Sequence, residues 1–404
     1  MHVVVLGAGV AGVTTAYYLS RLGHHVTLVD RATQVASGAS FANAGQLSYS
    51  YTDALAKPGF LRELPRLLIN RDPGVRIRPF ANPRLWPWAW RFVRQCTRRQ
   101  ARDNSRTMLH IAQRSAQRLQ QLRDDTNIEF SFRRAGKLVL LRTPEQVEEA
   151  RGTVEAKRRE GCDVALVERD KALGIEPALS DLAQTFAGAI HASDDEVGDA
   201  ASFCTSLSAW LESNTATEFA LGQSVQRVES KSEGSVIVHT DHKHFDAQAV
   251  VVCLGAASPA LLKPLGLRLP IFPVRGYSVT LPPGTAAPRV SVTDARRRIV
   301  FSRLNGHVRI AGFADFLADG ANNDAGRVRT LLSVARATAP HAADYDVEDP
   351  RAWAGNRPMT PGGPPLVGAT PIKGLFLNTG HGMLGWTMAC ASAHDAAQAV
   401  NTFG

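Results

Sequence analysis

The chain has 404 residues, a hydrophobic content of 44% and a formal net charge of +9, enough for two domains or one large one with a core that needs no staples. Its five cysteines are odd in number and form no Cys-x-x-Cys pair, which excludes a disulfide framework and metal-site spacing and fits a reducing compartment. No apolar run reaches the roughly 18 residues that span a bilayer, no nucleic-acid motif accompanies the scattered basic residues, and the positive balance favours an anionic ligand or a phospholipid surface.

The apolar run His2–Leu6 predicts a strand, Ala11–Leu22 a helix and His25–Val29 a second strand, together one βαβ unit. The run lacks the basic flank of a signal peptide. Between strand and helix lies Gly7-Ala8-Gly9-Val10-Ala11-Gly12, a G-x-G-x-x-G in the context that gives it meaning. Gly7 makes the tight turn, Gly9 admits a pyrophosphate against the backbone, and Gly12 lets the helix close on the sheet. The opening turn of the helix offers free N–H groups and a partial positive charge. Asp30, at the end of the second strand, suits the ribose hydroxyls and argues against a 2′-phosphate.

Residues 31–50 are rich in small side chains and read as a loop, or as a helix packed tightly on something. The prolines from Pro58 to Pro87 argue against long helices there. Ser105–Arg123 is amphipathic, with Leu109, Ala112, Ala116, Leu119 and Leu122 on one face. Strands are expected at Lys137–Leu141, Val164–Val167, Ala249–Leu254, Ile271–Thr280, Ile299–Ser302, Val308–Ala311 and Leu375–Asn378, and helices at Ala201–Leu211, Val328–Ala339 and Trp386–Val400. The apolar strand Ala249–Leu254 ends at Gly255-Ala256. Asn378-Thr379-Gly380-His381-Gly382-Met383-Leu384-Gly385-Trp386 ends a strand and opens a helix, with three glycines that let a backbone approach a ligand. A fingerprint near one end and a glycine-rich strand–helix turn near the other suit a long cofactor gripped twice.

These segments, with Ala42-Asn43-Ala44-Gly45-Gln46, Asp195-Glu196-Val197-Gly198-Asp199, Arg275-Gly276-Tyr277-Ser278 and Arg357-Pro358-Met359-Thr360-Pro361, resemble the D-amino-acid oxidase superfamily over nearly the whole chain, and within it the FAD-bearing subunits of bacterial D-amino-acid dehydrogenases. The resemblance implies an α/β fold: a Rossmann-like FAD-binding domain, discontinuous over 1–60, 190–263 and 352–404, and a mixed-sheet substrate domain of 61–189 and 264–351. It implies non-covalent FAD held by Gly7, Gly9, Val10, Ala11, Gly12, Asp30, Arg31, Ser40, Asn43, Ala44, Gly45, Gln46, Val225, Gly255, Gly380, His381, Gly382, Met383, Leu384 and Gly385, with no metal.

It further implies oxidative deamination of a small D-amino acid. Hydride passes from Cα to the flavin N5, and the imino acid hydrolyses to a 2-oxo acid and ammonia. Arg357, in Gly355-Asn356-Arg357-Pro358, resembles the clamp on the substrate carboxylate, because a planar guanidinium binds a carboxylate with two parallel bonds. Tyr277 is a second candidate for that carboxylate, and Arg275 shares its face by the period of two. His381, beside the expected flavin, is expected to fix its loop or touch the cofactor rather than act as a base. The resemblance leaves other small amines as substrates (hydroxy-D-proline, sarcosine, glycine), and a non-catalytic FAD-binding subunit, as alternatives. Electrons are expected to leave to a quinone or another carrier, with room for a partner subunit. The expected location is the cytoplasm, with a peripheral contact at the inner membrane through Leu85–Phe92. The family's usual Thr-Pro-Asp-Gly is here Thr360-Pro361-Gly362-Gly363.

Overall fold

The computed structural model describes all residues except 70–71, 79–81, 232–233, 317–323 and 404, and only the backbone of 183–185. The chain opens with β1 (His2–Leu6), α1 (Val10–Arg21) and β2 (His25–Asp30). The small-residue stretch leads to a short β3 (Gln46–Leu47), then α2 (Pro58–Leu68), β4 (Val75–Ile77), α3 (Leu85–Gln95) and α4 (Arg98–Thr126). Next come β5 (Lys137–Leu141), α5 (Pro144–Arg159), β6 (Val164–Glu168), α6 (Arg169–Ile175), β7 (Gly188–Ala192), β8 (Glu196–Val197), α7 (Ala200–Asn214) and β9 (Thr217–Leu221). A run of strands follows: β10 (Val225–Ser230), β11 (Val236–Thr240), β12 (His244–Ala247) and β13 (Ala249–Val252). After α8 (Ser258–Leu262) come β14 (Phe272–Leu281), β15 (Ser291–Asp294), β16 (Ile299–Leu304), β17 (His307–Phe316), α9 (Ala325–Thr338), β18 (Arg351–Met359), β19 (Leu366–Ala369), β20 (Leu375–Thr379) and α10 (Gly385–Asn401).

Two large sheets organise these elements. The first runs β19-β20-β13-β1-β2-β9, parallel except for the edge strand β19. Its central strands are apolar on both faces, as a sheet covered twice requires. Val3 and Val5 pack with α1, α7 and α10, while Val4 and Leu6 pack toward the small antiparallel sheet β10-β11-β12. Gly12 is what lets α1 lie so close: a Cβ there would stand 1.7 Å from the carbonyl oxygen of Gly7. The second sheet, β18-β14-β17-β16-β15-β5-β7-β6 with β4 beside β17, is mixed. One of its faces packs against α6 and α9, and the β14 end of the other is covered by α2 and α3.

The structure departs from expectation in three places. The proline-rich segment forms α2 and α3, each 11 residues long. Pro58 stands at the first helical position and Pro87 in the first turn, where the missing N–H has no partner to lose. Helix α4 runs beyond both expected ends, from a Thr97 cap whose side chain accepts from the Gln100 amide to a left-handed Asn127. Finally, β7 and β18 hydrogen-bond into the second sheet, so that sheet crosses the boundaries expected at 190 and 352. Backbone pairing here overrode the assignment by motif, since Arg351–Met359 finds in β14 a partner along its whole length. Gly12→Ala should cost roughly 1–3 kcal/mol through overpacking; a lower thermal midpoint together with loss of bound flavin absorbance is the expected result.

Candidate active site

Strands β1, β13 and β20 end side by side, Leu6 opposite Val252 and Val252 opposite Leu377. Each leads into a glycine with positive φ: Gly7 at 105°, Gly255 at 54° and Gly380 at 82°. This edge is the crevice outside the carboxyl ends of a parallel sheet where the strand order reverses, the usual seat of a dinucleotide. Gly7 is required there by space as well as by φ, because a Cβ would lie 2.8 Å from the Cys253 carbonyl oxygen. Two helices, α1 and α10, point their N-termini out of this region. Neither is capped by its own N-cap side chain or carries an acidic residue in its first turn, so the first-turn amides beyond that of Val10 remain for an anion.

Ser40 reaches the start of α1, its Oγ accepting from the Val10 amide at 3.0 Å. Asp30 accepts from the Ala8 amide at 2.7 Å and the Ala32 amide at 2.8 Å. A carboxylate has lone pairs left after two such bonds, and ribose hydroxyls are its fitting donors. Arg31 is exposed at the end of β2, and Val225 begins β10 half-buried.

The stretch Ala42–Gln46 is braced from the second sheet. Ser278 Oγ donates to the Ala42 carbonyl at 2.6 Å, and Arg309, paired with Asp199 at 2.9 Å, donates to the Asn43 carbonyl at 3.5 Å. The Asn43 side chain accepts from the Gly45 amide, and the Gln46 amide nitrogen donates to Ser291 and Thr293. Gln46 Oε1 accepts from Lys137 Nζ at 3.2 Å. Gln46 thus uses both ends of its side-chain amide inside the protein, and Asn43 uses its side-chain oxygen within the loop. Behind it lies a buried charge cluster that the sequence reading missed. Lys137 donates to Gln46 and Ser48, Lys157 donates to Asp53 and the Ser50 carbonyl, and Asp195 accepts from the Ser50 amide. Burial pulls Lys137 down to about 8 and pushes Asp195 up. The lone signal was a lysine opening an otherwise apolar strand.

Arg357 stands on β18 opposite Val274, and its guanidinium lies over Gly276, where a Cβ would come within 2.5 Å of Cζ. It donates to the Phe313 carbonyl at 2.6 Å and the Gly312 carbonyl at 3.5 Å. Among the described residues no carboxylate pairs with it. Burial pulls it down to about 10, still well above neutral, so it is charged. The residues after it reach the crevice: Pro358 faces Gly255, and Met359 forms a β-bridge with His381. On the same sheet face, Ser278 holds the Ala42–Gln46 loop and Val274 packs with Trp88 of α3, so Arg357 lies between that loop and an aromatic cover.

Tyr277 does not join it. Alternation along β14 turns Tyr277 away from Gly276 and into the core beneath α9, where its hydroxyl donates to Asp315 at 2.9 Å. Arg275, two residues before it on β14, follows the same alternation. His381 is 5% exposed and its Nε2 meets Ser392 Oγ at 2.8 Å. Burial lowers it to about 4, so it is neutral at physiological pH and ties the glycine turn to α10. Gly382 and Gly385 flank the turn, with Met383 exposed and Leu384 half-buried. Gly362 abuts α4, a Cβ there coming 3.0 Å from Asn104 Nδ2. The family's aspartate would need that space.

Two layers of this kind hold an extended dinucleotide with its reactive end against a pocket for an anionic organic molecule, the working arrangement of flavin-dependent oxidoreductases. The helix N-termini free of acidic side chains, the glycine cradle and Asp30 fit FAD. The family model described as FAD dependent oxidoreductase (DAO) matches residues 2–399, and the chain belongs to this family. It is 40% identical to D-amino acid dehydrogenase 2 of Ralstonia nicotianae, covering 97% of this chain and 95% of that one. Among solved structures, glycine oxidase from Geobacillus kaustophilus superposes with a TM-score of 0.75 at 23% identity, covering 99% of this chain and 94% of that one. L-proline dehydrogenase from P. horikoshii superposes with a TM-score of 0.76 at 17% identity, covering 99% and 93%. The chain is an FAD-dependent enzyme that oxidatively deaminates amino acids.

Because His381 is held neutral in the fold but takes up a proton when unfolded, stability is full above its ordinary value of 6.5 and declines as pH falls toward about 4. Urea midpoints measured from pH 7 to pH 4 should fall less steeply in His381→Gln than in the parent.

Proposed function

We propose that this protein is an FAD-dependent dehydrogenase of small D-amino acids. The observation that carries the reading is Arg357: a half-buried, charged guanidinium without a carboxylate partner among the described residues, set between the braced Ala42–Gln46 loop and the α3 cover. A charge withdrawn this far from water calls for an anionic partner, and a substrate carboxylate supplies it. The relative from Ralstonia nicotianae, matched over nearly the full length of both chains, is named for this activity.

Bound FAD supplies the hydride acceptor. The chain's own part is orientation. Arg357 receives the carboxylate with the N–H groups left free by Phe313 and Gly312, and so fixes the direction of the Cα–H bond. Gly276 gives the guanidinium its place. Trp88, whose indole N–H donates to the Met359 carbonyl at 2.9 Å, covers the pocket with Phe92 and Phe272 and limits water. His381, neutral and bonded to Ser392, keeps the glycine turn in place and moves no proton.

Electrons leave, in this reading, to a membrane quinone. Among the described residues no helix is long and apolar enough to cross a membrane. Helices α2 and α3 meet at Phe60 and Phe92, burying Leu85, Trp88 and Phe92 inward. They leave Leu61, Leu68, Trp86, Trp90 and Val93 exposed outward, interleaved with Arg62, Arg66, Arg91 and Arg94. Such a surface suits an anionic headgroup layer. Co-sedimentation with anionic vesicles, reduced in Trp90→Ser and by high salt, is the expected result; no binding to such vesicles counts against the contact.

Losing one partner of a buried ion pair costs roughly 3–5 kcal/mol, so Arg357→Ala should lower kcat/KM by about a hundredfold or more while keeping its yellow colour. Anaerobic bleaching of the flavin by D-amino acids, and not by L-amino acids, sarcosine or glycine, is the expected substrate pattern. Bleaching by sarcosine or glycine alone would move the assignment to another amine, and no bleaching by any of them would favour a non-catalytic subunit.

A further inference from the structure

Strand β17 carries one residue more than its partner. Arg275 of β14 faces Asp315, but Tyr277 faces Gly312, so three steps along β17 match two along β14. The extra residue makes a β-bulge, and Phe313 within it has φ of 63°, in the left-handed region that a bulky side chain rarely occupies. The two carbonyls that accept from Arg357 are that of Phe313, within the bulge, and that of Gly312, the paired residue just before it.

The bulge is held from the far side of the sheet. The Phe313 ring is buried, with the Arg327 guanidinium carbon 4.5 Å from its centroid. Arg327 Nη2 donates to Asp315 Oδ1 at 2.6 Å, and Arg327 Nη1 donates to the Pro73 carbonyl at 2.7 Å. Tyr277 donates to Asp315 Oδ2 at 2.9 Å, and Arg76 reaches the same oxygen at 2.8 Å. Asp315 is fully buried. One carboxylate therefore gathers a tyrosine and two arginines two residues beyond the bulge. An aromatic side chain in a strained conformation persists only where its surroundings over-determine it, and here they do.

We propose that Tyr277, Phe313, Asp315 and Arg327 form a positioning unit that sets Arg357 through the bulge carbonyls. This rests on the reading of Arg357 as the carboxylate clamp and deepens it. Tyr277 and Arg357 touch opposite faces of one sheet, and the twist of Phe313 turns a carbonyl through it. Tyr277 acts on the substrate without contacting it.

The test uses the holoenzyme and propionate, a carboxylate without an amine, titrated against the flavin's visible spectrum. Loss of a hydrogen bond to a charged group, transmitted through the bulge, should weaken propionate binding by about fivefold in Tyr277→Phe. It should raise KM more than it lowers kcat. Phe313→Gly accepts the same φ but loses the ring on Arg327, and should weaken propionate to a similar degree. Flavin content and thermal midpoint should stay near the parent's in Tyr277→Phe. Parental affinity in both Tyr277→Phe and Phe313→Gly would overturn the inference, as would weakening seen only in step with lost flavin or a lowered midpoint. Arg357→Ala separates the two readings. If it weakens propionate and the other variants do not, only the positioning unit fails; if it too binds propionate normally, the clamp itself is wrong.

Discussion

Strand β18 begins inside one sheet and ends against the other. For its whole length it hydrogen-bonds to β14, yet its last residue, Met359, pairs with His381 beyond the end of β20. That continuity makes Arg357 a rigid strand residue one and two positions before those that meet the crevice, rather than part of a loop. Precision of this kind is what orientation of a Cα–H bond demands, since small displacements cost rate steeply. The proline after Arg357 is compatible with the place because β18 is an edge strand, where a missing N–H breaks no ladder on its open side.

The same logic governs the loop that faces it. Ala42–Gln46 has few large side chains to pack, so its backbone is fixed by groups from elsewhere: Ser278, Arg309 with Asp199, and Lys137 through Gln46. Several of these are buried charges, which contribute little net stability against an apolar alternative. Their contribution is better understood as geometry. Lys137 and Asp195 lie in one water-poor pocket with Lys157, and the shifts of Lys137 toward the neutral amine and of Asp195 toward the neutral acid both follow from that exclusion of water.

Much of the cofactor layer could be read from the chain. Periodicity located β1, α1 and β2, the fingerprint supplied their turn, and Ala249–Leu254 and Leu375–Asn378 marked the two strands that complete the crevice. Helix α4 showed its phase through Leu109, Ala112, Leu119 and Leu122, although its ends depended on Thr97 and Asn127, caps outside the apolar pattern. The substrate layer was less legible for definite reasons. Period two put Arg275 and Tyr277 on one face but could not say which face looked at the cofactor. A bulge centred on a left-handed phenylalanine has no composition cue, because glycine or asparagine is what that conformation ordinarily selects. Helices α2 and α3 were hidden by their prolines: Pro58 and Pro87 sit where a first helical turn tolerates them, while α2 continues through an interior Pro65.

The strand order of the parallel sheet has a bearing on how the protein comes into being. β1 is flanked by β2, its near neighbour in the chain, and by β13, some 250 residues away; β13 in turn waits for β20. As the polypeptide emerges from the ribosome, the fingerprint turn is made early but stands beside an open, apolar strand edge until the distant partners arrive. Pairings of such long range are slow to form and exposed to aggregation meanwhile. The three-stranded edge that forms the crevice can therefore be completed only after β20 has been synthesised.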